Sequence, residues 1–236
     1  SIFASAANTD RDSYYGPGND PLKAYGKTTD LTAMGGAQYV HTFDKCFFMP
    51  SDLTAGLEYN RDRLKDNMWG YNRHTDQTVN IYSAFLQNEW KNDRWGILIG
   101  GRLDKHNMVD NVIFSPRANL RFNPTQNINL RLSYSSGFRA PQAFDEDMHI
   151  ENVGGTVAMI ERAKDLKEEK SQSFSVSADM YHRFGAFQTN LLIEGFYTRL
   201  TDVFVLGKPY DRGDGILVKT RSNGPGAKVM GLTLEG

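Results

Sequence analysis

Four carboxylates and an imidazole crowd one stretch of the chain: Asp145, Glu146, Asp147, His149 and Glu151, within residues 139–170. Two such carboxylates can share acid and base work in glycoside cleavage. An aspartate with a histidine can hold a divalent metal. Both chemistries need a rigid frame, and no regular element with a fitting spacing carries these residues. A charge run in a loop is ordinarily a solvated surface, and that reading stands beside the other two.

The remaining candidates are more dispersed. The five histidines, His41, His74, His106, His149 and His182, contain no His-x-x-x-His pair. Asp211-Arg212-Gly213-Asp214-Gly215 resembles an acidic calcium loop only loosely, and its glycines equally suit a tight turn. Gly35-Gly36 and Gly154-Gly155 do not open helices, so they make no phosphate cradle. No serine or cysteine sits in a nucleophile elbow, and an enzyme is not expected. Aromatic residues give a different signal. Tyr14, Tyr15, Tyr25, Trp69 and Tyr71 fall in predicted loops beside Asn and Arg. Aromatic faces with a few polar donors suit a chelate or a sugar, while ordinary loop packing accounts for any one of them.

Alternation dominates the elements that must position these residues. In residues 112–142, Phe114, Pro116, Ala118, Leu120 and Phe122 share one face, and Ser115, Arg117, Asn119 and Arg121 the other. After Asn123-Pro124-Thr125-Gln126, Ile128, Leu130, Leu132 and Tyr134 oppose Asn129, Arg131, Ser133 and Ser135. Period two defines strands, so this is a β-hairpin with one oily and one polar face. Similar patterns predict ten strands near 1–7, 31–43, 53–63, 79–90, 95–105, 112–122, 127–138, 171–182, 187–205 and 227–236. A helix is expected only at Val157 to Leu166. After the first strand the connections mostly alternate long and short, with the modest 106–111 as the exception. Transmembrane barrels alternate their connections in this way, with short periplasmic turns and long outer loops.

Bulk properties agree with a barrel. The 236 residues carry a formal net charge of −1, which implies no bulk attraction to nucleic acid. Mean hydropathy is −0.52, and no apolar run approaches the ~20 residues of a spanning helix. Cys46 is the lone cysteine, so neither an internal disulfide nor a cysteine metal cluster is expected. Trp90, Trp95, Phe122 and Phe138 stand at predicted strand ends, where barrels carry aromatic girdles. Glu58, Gln87, Arg102, Asp104, Arg131, Asp179 and Glu194 fall opposite the apolar rows, as in a wet lumen. A soluble sheet with a solvated face remains the competing account.

Several segments then point to a family. Leu130-Arg131-Leu132-Ser133-Tyr134-Ser135-Ser136-Gly137-Phe138-Arg139-Ala140-Pro141 resembles a strand of TonB-dependent outer-membrane receptors. Phe85-Leu86-Gln87-Asn88-Glu89-Trp90, Gly100-Gly101-Arg102-Leu103-Asp104 and Leu166-Lys167-Glu168-Glu169-Lys170-Ser171 resemble others in the same order. Asn190 to Arg199, Ser222-Asn223 and Gly231 to Glu235 match later elements, with Thr233 where Glu is frequent. The wording around Phe144 to Asp147 looks most like Bacteroidetes-type members. The resemblance covers residues 53–236.

It implies an all-β, antiparallel up-and-down meander, a partial transmembrane β-barrel from a plugged barrel of about 22 strands. Residues 1–236 would form an incomplete barrel segment, with the plug domain and terminal strands lying outside it. It further implies outer-membrane uptake of a scarce nutrient, such as a siderophore or haem, powered by the TonB complex through the plug. No cofactor is implied. Partners would be outer-membrane lipid and a small chelate, and an isolated segment would self-associate through its strand edges. Candidate ligand-contacting loop residues are Tyr14, Tyr15, Trp69, Tyr71, His74, Arg139 and His149. The alternatives are a soluble β-sandwich that binds carbohydrate or serves adhesion, and a barrel enzyme.

Overall fold

The computed structural model describes residues 1–14, 25–143, 145–148, 151–153, 156–213 and 216–236. Tyr15, His149 and the Asp214-Gly215 pair lie outside them. Ten strands form one antiparallel sheet: β1 (Ile2–Tyr14), β2 (Tyr25–Cys46), β3 (Met49–Met68), β4 (Arg73–Lys91), β5 (Trp95–His106), β6 (Ile113–Thr125), β7 (Ile128–Arg139), β10 (Glu169–Phe184), β11 (Phe187–Thr201) and β15 (Ala227–Glu235). They lie side by side in chain order.

The segments between β7 and β10 and between β11 and β15 build a second sheet: β8 (Glu151–Val153), β9 (Thr156–Arg162), β12 (Phe204–Leu206), β13 (Tyr210–Asp211) and β14 (Ile216–Asn223). A four-residue helix, α1 (Asp145–Met148), precedes β8. The helix expected over Val157 to Leu166 is not formed. Val157 to Arg162 instead pair in parallel with Ile216 to Arg221. Four apolar residues in a row suit a buried strand as well as a helix, and the partner strand decides between them. The segment expected as a loop at 206–226 likewise contains β14.

Connections of two or three residues all lie at one end of the large sheet. They are Phe47-Phe48, residues 92–94, 126–127 and 185–186. Phe47 and Gly185 take left-handed φ of 63° and 60° to close their turns. The expected nine-residue loop at 44–52 shrinks to a tight turn, because β2 and β3 continue into it. At the opposite end, β3 and β4 run far past the expected boundaries.

Cross-strand contacts assign the two faces. Ser83 Oγ donates to Asp104 Oδ1 at 2.6 Å, and Arg102 reaches Glu58 at 2.9 Å. Glu58, Ser83, Arg102 and Asp104 therefore share the inner face. By alternation, Leu57, Tyr82, Leu86, Ile99, Leu103, Phe114, Leu132 and Val176 share the outer face. All eight are exposed. No second layer covers this oily face among the described residues, so it is not the inside of a two-layer sandwich. The ordinary rule that apolar rows are buried is met by lipid.

Two aromatic bands frame the oily zone. At the short-turn end, Phe48 stacks on Trp90 and Trp95 on Phe122, with ring centroids 5.7 and 4.2 Å apart. Trp90 Nε1 also donates to the Cys46 carbonyl at 3.0 Å, tying the ring to the turn. Higher up the outer face, Tyr59 stacks on Tyr82 at 4.9 Å, and Tyr134 meets Phe174 at 4.7 Å. Eight residues separate Tyr82 from Trp90. At ~3.3 Å each and a ~40° tilt, that spans roughly 20 Å, close to the height of a barrel's apolar band.

Candidate functional site

The inner wall carries a tight polar knot. Arg102 Nε donates to Asp104 at 2.8 Å, and its terminal nitrogen donates to Glu58 at 2.9 Å and to Ser83 Oγ at 2.7 Å. Asn60 adds a donor to Glu58 at 2.7 Å. Further along the sheet, Ser133 meets Ser175 at 2.6 Å and Ser173 meets Thr198 at 2.9 Å. Charges that lipid would reject are thus compensated across strands.

At the long-loop end, the second sheet docks on the wall as a cap. Its oily contact joins Met68 and Tyr71 of the wall to Met159 of β9 and Ile216 of β14. Gly26 makes room for this contact, since a Cβ there would overlap Met68 Sδ.

Polar ties surround the cluster. Arg73 donates to Asp66 at 2.8 Å and to the Met148 carbonyl at 2.8 Å, so one guanidinium links β3, β4 and α1. Thr28 donates to the other Asp66 oxygen at 2.7 Å. Arg221 pairs with Asp147 at 2.6 Å, both buried. Gln77 Oε1 accepts from the Ala143 N–H and from Arg162, each at 2.8 Å. Asn223 clamps the base of the cap, accepting from the Lys167 N–H and donating to the Lys167 and Asp202 carbonyls.

One wall residue and one cap residue are withdrawn from solvent at this end. His106, the last residue of β5 on the loop side, is fully buried. The Met108 N–H donates to its Nδ1 at 3.0 Å, so Nε2 carries the proton and faces Gln142 Oε1 at 3.2 Å. The pKa of Arg162 in β9 is lowered, first by burial and then by Arg221, against the pull of Asp147. It donates to two neutral acceptors, Gln77 Oε1 and the Pro141 carbonyl.

Between cap and wall lies a cavity of 630 Å³. Arg73, His74, Arg162, Lys164 and Arg212 line it, together with Asp147 and Glu161. Cationic groups outnumber the carboxylates, and the volume suits a drug-sized ligand.

The candidate residues distribute unevenly around it. His74 lines the cavity and contacts Asn67 at 2.9 Å. Trp69 is exposed and stacks on Tyr25 at 6.2 Å. Tyr14 is exposed at the end of β1. Tyr71 is buried in the cap core, and burial raises its pKa. Arg139, the last residue of β7, lies over the Phe204 ring of β12, 5.5 Å from its centroid. The carboxylate run is only partly solvated, since Asp147 is buried against Arg221. Among the described residues, no group of three or more His, Cys, Asp or Glu gathers to hold a metal. Sequence reasoning missed Arg162 and Arg212, whose partners Gln77 and Tyr71 lie far away in the chain, and Arg73, which bonds Asp66 across the β3–β4 connection and the distant Met148 carbonyl.

A lipid-facing meander with a polar inner wall and a capped loop-side mouth is the wall of an outer-membrane β-barrel. The chain belongs to the TonB dependent receptor-like β-barrel family, whose model matches residues 2–236. Its members are outer-membrane receptors and transporters, not enzymes. A probable hemoglobin and hemoglobin-haptoglobin-binding protein of Haemophilus influenzae is 24% identical over 202 residues, covering 84% of this chain and 18% of that protein. The siderophore receptor PirA of Pseudomonas aeruginosa superposes with a TM-score of 0.73 at 16% identity, covering 99% of this chain and 46% of its own. A ferric enterobactin receptor of P. aeruginosa, PfeA, in complex with enterobactin gives 0.72 at 19% identity, over 99% and 38%. The chain thus spans less than half the length of these relatives.

Proposed function

We propose that this chain is part of the barrel wall and outer mouth of a receptor that carries an iron chelate, such as a siderophore or haem, across the outer membrane. The cation-rich cavity beneath the loop cap carries this reading, because chelates with acidic ligands are anionic and guanidinium groups recognise them. The inner-wall knot at Arg102 would face a plug domain supplied by the rest of a longer protein, and energy would arrive from the TonB complex through that plug. His74 would meet the chelate at the cavity rim, with Tyr14, Tyr15, Trp69, Arg139 and His149 as further loop contacts.

Radiolabelled iron uptake tests this in cells lacking the intact receptor and in cells carrying it. Uptake restored by wild type, and reduced about tenfold by Arg162→Gln with Lys164→Gln, is expected from two lost charge-assisted contacts. Unchanged uptake of every chelate in receptor-deleted cells would overturn it.

A further inference from the structure

At the loop end of β1 to β4 the cap lies against the inner side of the wall. Gly26, Thr28, Asp66 and Met68 turn inward there and are buried. The alternate residues turn outward. Register sets Tyr14 opposite Tyr25 on this outer face. Trp69, at the start of the 3-10 turn after β3, stands next to Tyr25. Their rings are parallel within 7°, with centroids 6.2 Å apart. Tyr14, Tyr25 and Trp69 are 51%, 43% and 51% exposed. None of the three lines the loop-side cavity. One row lower, Asp12 faces Lys27 and Lys27 faces Asn67. Asp12 also lies beside the Tyr25 hydroxyl. Asn67 Oδ1 meets His74 Nδ1 at 2.9 Å, which leaves the Asn67 Nδ2 as a donor.

Height separates these rings from the aromatic bands below. Trp69 lies twenty residues beyond Met49 at the short-turn end. At ~3.3 Å per residue and a ~40° tilt this is about 50 Å along the membrane normal, past the ~45 Å of a bilayer with its headgroups. Lipid therefore does not account for the exposed row, and a row of large rings bared to water marks a contact surface. Strands lie ~4.8 Å apart, so three rings side by side span about 10 Å. That step is close to one ring of an extended pyranose chain. A pyranose offers an apolar C–H face, which suits an aromatic ring, and hydroxyls along its edge. Asp12 supplies an acceptor for that edge, and Lys27 and Asn67 supply donors. One carboxylate and one ammonium cancel, so this surface selects an uncharged ligand, unlike the cation-rich cavity on the other side of the wall.

We infer that Tyr14, Tyr25 and Trp69, with Asp12, Lys27 and Asn67 along their lower edge, form a docking platform for a neutral saccharide chain presented from outside the cell. The sugar rings lie along the aromatic row, and their hydroxyls bond the polar row. The platform is on the outer flank of the wall, on the opposite face from the Arg102 knot. It goes beyond chelate import and does not depend on it.

The test uses the intact receptor in phosphatidylcholine nanodiscs, titrated calorimetrically with maltohexaose, cellohexaose, xylohexaose and mannohexaose. Wild type is expected to bind at least one of them and to show a blue-shifted tryptophan emission on binding. Trp69→Ala and Tyr25→Ala are each expected to weaken binding about tenfold, the loss of one stacked ring. Trp69→Phe should stay within about threefold of wild type while losing the emission shift. Sulfated maltohexaose should bind no more tightly than the neutral sugar. No binding of any of the four to wild type overturns the proposal, as does wild-type affinity in both alanine variants or tighter binding of the sulfated sugar. Binding confined to the cell's own purified lipopolysaccharide overturns it as well. If Trp69→Ala does not insert, Tyr25→Ala and Trp69→Phe carry the same test. Chelate capture by wild type, measured separately, reports on the import reading alone, and its absence would leave the platform standing.

Discussion

Arg73 reaches Asp66 at 2.8 Å with both side chains nearly sealed from solvent, at 11% and 2% exposure. The same guanidinium holds the Met148 carbonyl. One buried ion pair in the wall therefore also fastens the cap. Replacing Asp66 with Ala strands a buried cation, and breaking such a pair costs about 3–5 kcal/mol. We expect Asp66→Ala to expose residues 139–170 to protease while the barrel keeps its heat-modifiable mobility in gels. Protease resistance equal to wild type would show that the oily contact alone fastens the cap.

The oily contact has its own test. Met159 is fully buried between Met68, Tyr71 and Ile216. Met159→Ala should weaken cap docking by about 2–5 kcal/mol. Hydrogen exchange should then accelerate in β9 and β14 and stay unchanged in β5 to β7. Equal acceleration across the large sheet would mean that cap and wall open together.

The 236-residue chain on its own presents two unfilled edges. β1 pairs only with β2, and β15 only with β11, among the described residues. Unpaired edges and a bare apolar face drive association. The chain refolded without detergent should scatter light as dimers or larger species. A strict monomer there would mean that the sheet curls to cover its own oily row.

The large sheet was legible because lipid on one side and water on the other impose period two, as at Phe114 to Phe122. Its strand ends were not. Just above Tyr59, Asn60 to Arg63 are polar on both faces of β3 and give no alternation to follow. The cap was hidden for a different reason. Met159 and Ile216 are 57 positions apart, and nothing near either one announces the other. The site followed the same divide. His74 stood out by its residue type, whereas Arg73 and Arg162 acquire meaning only through Asp66 and Gln77.

The side-by-side pairing of Val157 to Arg162 with Ile216 to Arg221 welds two separate surface excursions into a single plate. Neither can be exchanged between homologues alone without leaving its mate with a raw, unsatisfied backbone. Sequence drift in one must be answered in the other, so chimaeras of this mouth should tolerate transplantation of the pair far better than of either half.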